Sequence, residues 1–262
     1  MLFKSRVFLV SYMILLAMPA GWLSAEILQD RQAPAGNKGK TIWDGVYTPA
    51  QAARGKESYT AHCSACHATD LTGRNGPALR GDHFMDNWRE DSLNSLYNRI
   101  KNSMPAGNPS SLADDTYLDI VAHILQVNAF PEGAEELKPN TLVTIRVVGK
   151  EGPAPVPNFA LVQVVGCLAQ SSDNSWILSD ASEPVRTRNP KESTESELKV
   201  SAATPLGEQT FRLLDVDYVR SGFTAAEHKG HKMEAKGFLI RNPGDLRLST
   251  TWLEMLESSC MK

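Results

Sequence analysis

The stretch Cys63-Ser64-Ala65-Cys66-His67 decides how the rest of the chain is read. It places two thiols at i and i+3 and a histidine directly after the second, the pattern C-x-x-C-H. Each thiol can form a thioether to one vinyl group of a haem, and the histidine then lies under the iron as an axial nitrogen ligand. A bare C-x-x-C would leave thioredoxin-like redox chemistry or half a zinc site open. The appended His67, with no second C-x-x-C in the 262 residues, argues against both.

Upstream, Thr48-Pro49-Ala50-Gln51 reads as a helix start, with Thr48 as N-cap, Pro49 at the first helical position and Gln51 closing a capping box. This helix runs to the cysteines, with Ala52, Gly55 and Tyr59 on one face. Gly55 in its interior costs about 1 kcal/mol unless something packs closely there. Downstream, Leu93, Leu96, Tyr97 and Ile100 share the face of a second helix, which ends at Ser103-Met104-Pro105. A third helix spans Asp114 to Gln126, with Tyr117, Ile120, Val121, Ile124 and Leu125 at i, i+3, i+4, i+7 and i+8.

Met104 is the candidate sixth ligand. A thioether is neutral and soft, which favours reduced iron, and Pro105 stops the helix so that Met104 is offered from a loop. Met85 and His83 compete for the role, but they share a short stretch with Phe84 and Trp88 that reads better as haem-edge packing.

Residues 48 to 131 resemble a class I c-type cytochrome, a small all-α fold that wraps one haem. The resemblance rests on the first helix, Cys63-x-x-Cys66-His67, Gly76-Pro77-Ala78-Leu79, Trp88, Leu96-Tyr97, Met104-Pro105 and the last helix. It implies one covalent haem c held by Cys63 and Cys66, with His67 and Met104 on the iron. It implies that the Pro77 carbonyl fixes the tautomer of His67, and that Trp88 and Tyr97, with Arg80 beside them, sit near the haem propionates. It also implies that the first and last helices cross at Gly55, beside Tyr59 and Tyr117.

The N-terminus reads as a signal peptide over 1–25. Lys4 and Arg6 form a charged start, Val7 to Met18 is almost wholly apolar, and Leu23-Ser24-Ala25 offers a cut. An uncleaved anchor is the competing reading, but Ser11, Pro19 and Gly21 interrupt a run already short for a span. Periplasmic or other export follows. Residues 26–40 form a flexible lead-in, so the helical domain occupies 41–137.

Residues 138–158 carry Pro139, Pro153, Pro155 and Pro157 around the alternating run Leu142 to Val148, and read as a proline-stiffened linker. Beyond it, Leu161–Leu168, Trp176–Leu178, Thr210–Val216, His231–Arg241 and Leu246–Met255 read as five strands, with Glu183–Glu208 a long polar loop. The chain is therefore multidomain, an all-α cytochrome c domain followed by a small all-β domain over 159–262. Gly166-Cys167-Leu168 and Gly230 to Gly237 make that domain resemble an OB-fold-like barrel of exported bacterial proteins.

Charge narrows the partners. The net charge is −3, and removing the signal segment with its two cations leaves −5. Residues 156–262 carry 12 Lys and Arg against 14 Asp and Glu, so nucleic acid is not expected despite the OB-like reading. His228 and His231 read as ordinary surface histidines. Cys167 and Cys260 form a candidate disulfide, because an oxidising compartment lets such a pair close.

The expected function is electron transfer by a soluble carrier, not an enzyme, with an exported dehydrogenase or terminal oxidase as redox partner. The alternatives are a haem subunit of an exported quinoprotein-type dehydrogenase complex and a haem ligand sensor. A membrane enters only if the N-terminal segment stays uncleaved.

Overall fold

The computed structural model describes residues 39–260. The expected signal peptide lies outside them, as does most of the lead-in. Five helices come first: α1 (Pro49–His62), α2 (Ser64–His67), α3 (Gly81–Trp88), α4 (Leu93–Ser103) and α5 (Asp114–Val127). Thr48 caps α1, its hydroxyl accepting from the Gln51 N–H at 3.1 Å, with Pro49 at the first position. The expected capping box does not close. Gln51 instead exchanges two hydrogen bonds with the Leu137 backbone, donating to its carbonyl at 3.2 Å and accepting from its N–H at 2.8 Å. A long-range backbone partner has outcompeted the local one, because a buried amide needs both its donor and its acceptor satisfied.

Helices α1 and α5 cross at Gly55. A Cβ there would lie 1.8 Å from the Asp119 carbonyl oxygen and 3.0 Å from Cβ of His123, so only glycine allows the approach. Tyr59 meets His123, ring centroids 5.5 Å apart, rather than Tyr117, which pairs edge-on with Tyr97 at 6.5 Å. Arg54 clamps the same crossing with two 2.9 Å hydrogen bonds to Asp119.

The segment 138–158 was expected to be a stiffened connection, yet its first half is packed structure. A 3-10 turn at Leu142–Thr144 replaces part of the alternating run, and Leu142, Ile145 and Val147 join the buried helical core. Leu93 donates to the Ile145 carbonyl at 2.8 Å, and Arg146 pairs with Thr41 and Ser92. Val156 already belongs to the second core.

The C-terminal half is mostly sheet: β1 (Leu161–Gln170), β2 (Trp176–Ala181), β3 (Val185–Arg186), β4 (Gln209–Leu214), β5 (Lys232–Asn242) and β6 (Asp245–Glu257), with helix α6 (Glu195–Ala203) between β3 and β4. The five longer strands pair in the order β1-β2-β4-β6-β5 and β5 returns to β1, with β3 added on β1. The β4–β6 pairing is parallel and the rest are antiparallel. Val162, Val164, Leu178, Phe211, Met233, Ala235, Leu248 and Leu253 form part of its apolar interior.

The polar stretch Glu183–Glu208 is not one loop, since it holds β3 and α6. Alternation along β5 explains why it folds down. Met233 and Ala235 point into the core, so Glu234 and Lys236 face outward, yet both are fully buried. Ser193 donates to Glu234 at 2.6 Å and Ser201 of α6 donates to its other oxygen, while Lys236 donates to the Lys191 carbonyl at 2.9 Å. Burial holds the Lys236 ammonium below its ordinary pKa. Thr194 and Glu197 close a reciprocal capping box on α6.

Cys167 on β1 and Cys260 beyond β6 are joined by a disulfide, Cα atoms 5.8 Å apart. Among the described residues no helix is long and apolar enough to cross a membrane.

Candidate functional site

Helix α1 stops at Cys63, whose N–H still reaches the Tyr59 carbonyl at 2.8 Å. The chain then makes the single turn α2, closed by the His67 N–H on the Cys63 carbonyl at 3.0 Å. Cys63 therefore caps this turn, and Cys66 lies within it beside His67, which ends it. Cys63 is half-buried and Cys66 exposed. Burial, with Cys66 close by, pushes the Cys63 thiol up to about 11.

The loop after α2 folds back over the motif. The N–H groups of Arg74 and Gly76 donate to the Cys66 carbonyl, and that of Gly73 to the His67 carbonyl. Ala68, at φ 61, turns the chain, and its carbonyl accepts from the Tyr59 hydroxyl at 2.8 Å. These bonds set Gly76-Pro77 against the His67 ring. The Pro77 carbonyl lies 2.8 Å from Nδ1 of His67. A carbonyl can only accept, so Nδ1 carries the proton and Nε2 keeps its lone pair. A Cβ on Gly76 would come 2.6 Å from Cε1 of the same ring. Glycine at that position is thus part of the site, and only its place beside Pro77 in the sequence hinted at it.

Met104 ends α4 in extended conformation, φ −131 and ψ 151. Its N–H donates to the Ile100 carbonyl at 2.8 Å and its carbonyl accepts from the Tyr117 hydroxyl at 2.9 Å. The backbone is pinned from both helices while the side chain stays half-exposed. Met85 packs against the helical core, whereas Met104 is not among the described side chains that do so. His83 is exposed on α3.

The other candidates are spread more widely. Arg80 is exposed and donates to the Asp70 carbonyl at 3.3 Å. Tyr97 is buried against Tyr117, and burial raises its phenol pKa. Trp88 is buried too, but its ring is covered by the Arg188 guanidinium, 4.3 Å from the centroid. Arg188 also holds Asp91 at 2.8 Å and donates to the Asn87 carbonyl, and Arg186 donates to the Arg89 carbonyl at 3.1 Å. These arginines lie within Glu183–Glu208, the stretch read from sequence as a long polar loop, where nothing marked them as contacts for the helices. The neighbouring Glu90, at φ 69, is buried and accepts from Arg146 and from the Ala154 N–H, both at 2.8 Å.

The donor set fits a c-type haem. Two thiols sit at the start of and within one turn, the imidazole that ends it has its Nδ1 proton committed and its Nε2 available, and the cradle has no room for a Cβ at Gly76.

A family model agrees with this chemistry. Residues 50–124 match the family model described as cytochrome C oxidase, cbb3-type, subunit III, which supports a c-type cytochrome domain there and so a haem c. No curated protein matches the chain. Among solved structures it is similar to a chain of the sulfane dehydrogenase SoxCD from Paracoccus pantotrophus, at 22% identity, over 44% of this chain and 66% of that one, with a TM-score of 0.31. The match thus spans just under two thirds of that chain's length.

Proposed function

We propose that the cytochrome domain at residues 50–124 carries one haem c, attached through Cys63 and Cys66 and ligated by His67 and Met104, and that the protein is an electron carrier. The observation that carries this is the Pro77 carbonyl on Nδ1 of His67, which turns the lone pair of Nε2 to a metal. When bound, the haem supplies one-electron chemistry at iron. The chain's own residues set its terms. Pro77 holds the imidazole in one tautomer and raises its basicity, Gly76 keeps the ring from being displaced, and Met104 offers a neutral sulfur from a pinned backbone. Tyr97, Trp88 and Arg80 are proposed to flank the propionate side.

The C-terminal unit is proposed to be a five-stranded OB-like barrel that positions the carrier. Its ring of pairings, with the single parallel pair β4–β6, supports that reading. Export to an oxidising compartment is supported by the Cys167–Cys260 disulfide. The partners we infer are proteins, an exported dehydrogenase or a terminal oxidase, and the oxidase subunit named in the family match is in keeping with that.

The test is a spectrum of the oxidised holoprotein joined to a redox titration. A weak thioether-to-iron charge-transfer band at the red edge, with a single one-electron wave, is expected. An oxidised haem that lacks this band and binds cyanide readily, and that binds carbon monoxide once reduced, would instead make the protein a haem enzyme or ligand sensor.

A further inference from the structure

The C-terminal unit holds a second constellation that the cytochrome reading does not use. A short 3-10 helix, Ala225–His228, is followed by a turn in which the His231 N–H donates to the His228 carbonyl at 3.0 Å. Lys229, at φ −62 and ψ 125, and Gly230, at φ 86, make this a type II turn, which brings its two end residues close together. Their Nδ1 atoms lie 3.3 Å apart and their rings are inclined at 78°.

The pair is held rigidly. The His228 ring stacks on Phe223, centroids 5.0 Å apart and planes within 3°. The Gly230 N–H donates to the Leu168 carbonyl at 2.8 Å, and the Leu168 N–H donates to the His231 carbonyl at 3.1 Å. The Cys260 N–H donates to the Gly230 carbonyl at 3.0 Å, and Cys260 is itself tied to Cys167 on β1. Three backbone bonds and a disulfide thus fix the turn that carries both rings, and both side chains remain half-exposed.

We propose that His228 and His231 form a site for a zinc-class divalent transition-metal ion, their Nδ1 atoms supplying two corners of a tetrahedron that water completes. The spacing carries the proposal. Zinc–nitrogen bonds of about 2.0 Å at a tetrahedral angle separate two ligand atoms by about 3.3 Å, whereas a right-angled octahedral pair would sit near 2.9 Å. Among the described residues no group of three or more His, Cys, Asp and Glu side chains gathers to hold a metal, so the protein supplies two ligands here. Glu254 is already engaged by Arg220 at 3.0 Å and by the Trp252 indole at 3.2 Å. Two positions of the tetrahedron therefore stay open to water or to an incoming anion.

The test is calorimetric titration of zinc into the untagged holoprotein. One equivalent per chain is expected, with His228→Gln and His231→Gln each weakening it about tenfold or more, and His62→Gln and His83→Gln, exposed on the helical half, leaving it unchanged. Zinc should also raise the melting temperature of the wild type and of these two controls alone. If the pair is only hydrogen-bonded, the wild type takes up zinc no better than His231→Gln, and the proposal fails. Should both glutamine variants prove unfolded, zinc-edge absorption on the wild type decides. Two imidazole nitrogens with two oxygens near 2.0 Å support the site, and a shell with one imidazole or none overturns it.

Discussion

The two methionines near the haem motif differ by how they are held. Met85 lies on α3 and packs on the helical core, while Met104 closes α4 with its backbone pinned between Ile100 and Tyr117. Replacing Met104 by Ala would remove the proposed neutral soft ligand, so the reduction potential should fall and the reduced iron should bind carbon monoxide. Met85→Ala should instead destabilise the fold by about 2–5 kcal/mol, scaled down for its half-buried setting, and leave the potential nearly unchanged. Spectroelectrochemical titration of both variants checks this, and a lowered potential in Met85→Ala alone reverses the ligand assignment. The turn that groups Cys63, Cys66 and His67 was legible at this scale because it depends on spacing within five residues. Gly76 was less so, since its role depends on a ring nine positions away.

Helices α4 and α5 were readable as elements because each buries one apolar stripe, and periodicity reports a stripe directly. The observed α4 and α5 run from Leu93 to Ser103 and from Asp114 to Val127. The missed elements include α3, which is only eight residues long, and β3 and α6, which bury little apolar surface. Helix α6 is held by its capping box and by Ser201 on the buried Glu234, a polar partner 33 positions away. No local pattern encodes such a partner. Gln51 failed as a capping residue for the same reason, its bonds going to Leu137. The crossing of α1 and α5 gives the sharpest prediction for an element. Gly55→Ala should force the helices apart at the Asp119 carbonyl, costing about 1–3 kcal/mol or more despite the better helix propensity of alanine. The exposed neighbour Lys56→Ala should stay within about 0.5 kcal/mol. Urea unfolding of the pair measures the difference, and a neutral Gly55→Ala would refute the crossing.

Across the whole molecule, the helical and sheet cores meet at a charged junction rather than an apolar one. Asp91, fully buried, faces Arg188 at 2.8 Å and Arg186 at 3.8 Å, while its Oδ1 has no hydrogen-bond partner among the described residues. Burial holds its carboxyl above the ordinary range even though both arginines pull it down. The native state then keeps a proton that the unfolded chain has released above about pH 3.9. Stability contributed by Asp91 therefore falls as pH rises from there through its raised folded pKa. Asp91→Asn should remove that slope, so the difference between wild type and variant, from denaturant unfolding at several pH values, should shift against the wild type on raising the pH. A constant difference would contradict it. This junction lay beyond the sequence, because Arg186 and Arg188 are about a hundred positions from the groups they hold. The central claim is covalent attachment of a haem at Cys63 and Cys66, and the most direct measurement is acid–acetone extraction of holoprotein made with haem-maturation machinery. The account predicts that the colour stays with the unfolded polypeptide in the wild type and is lost when both cysteines are replaced by alanine. A wild-type protein that releases its haem into the organic phase would contradict it.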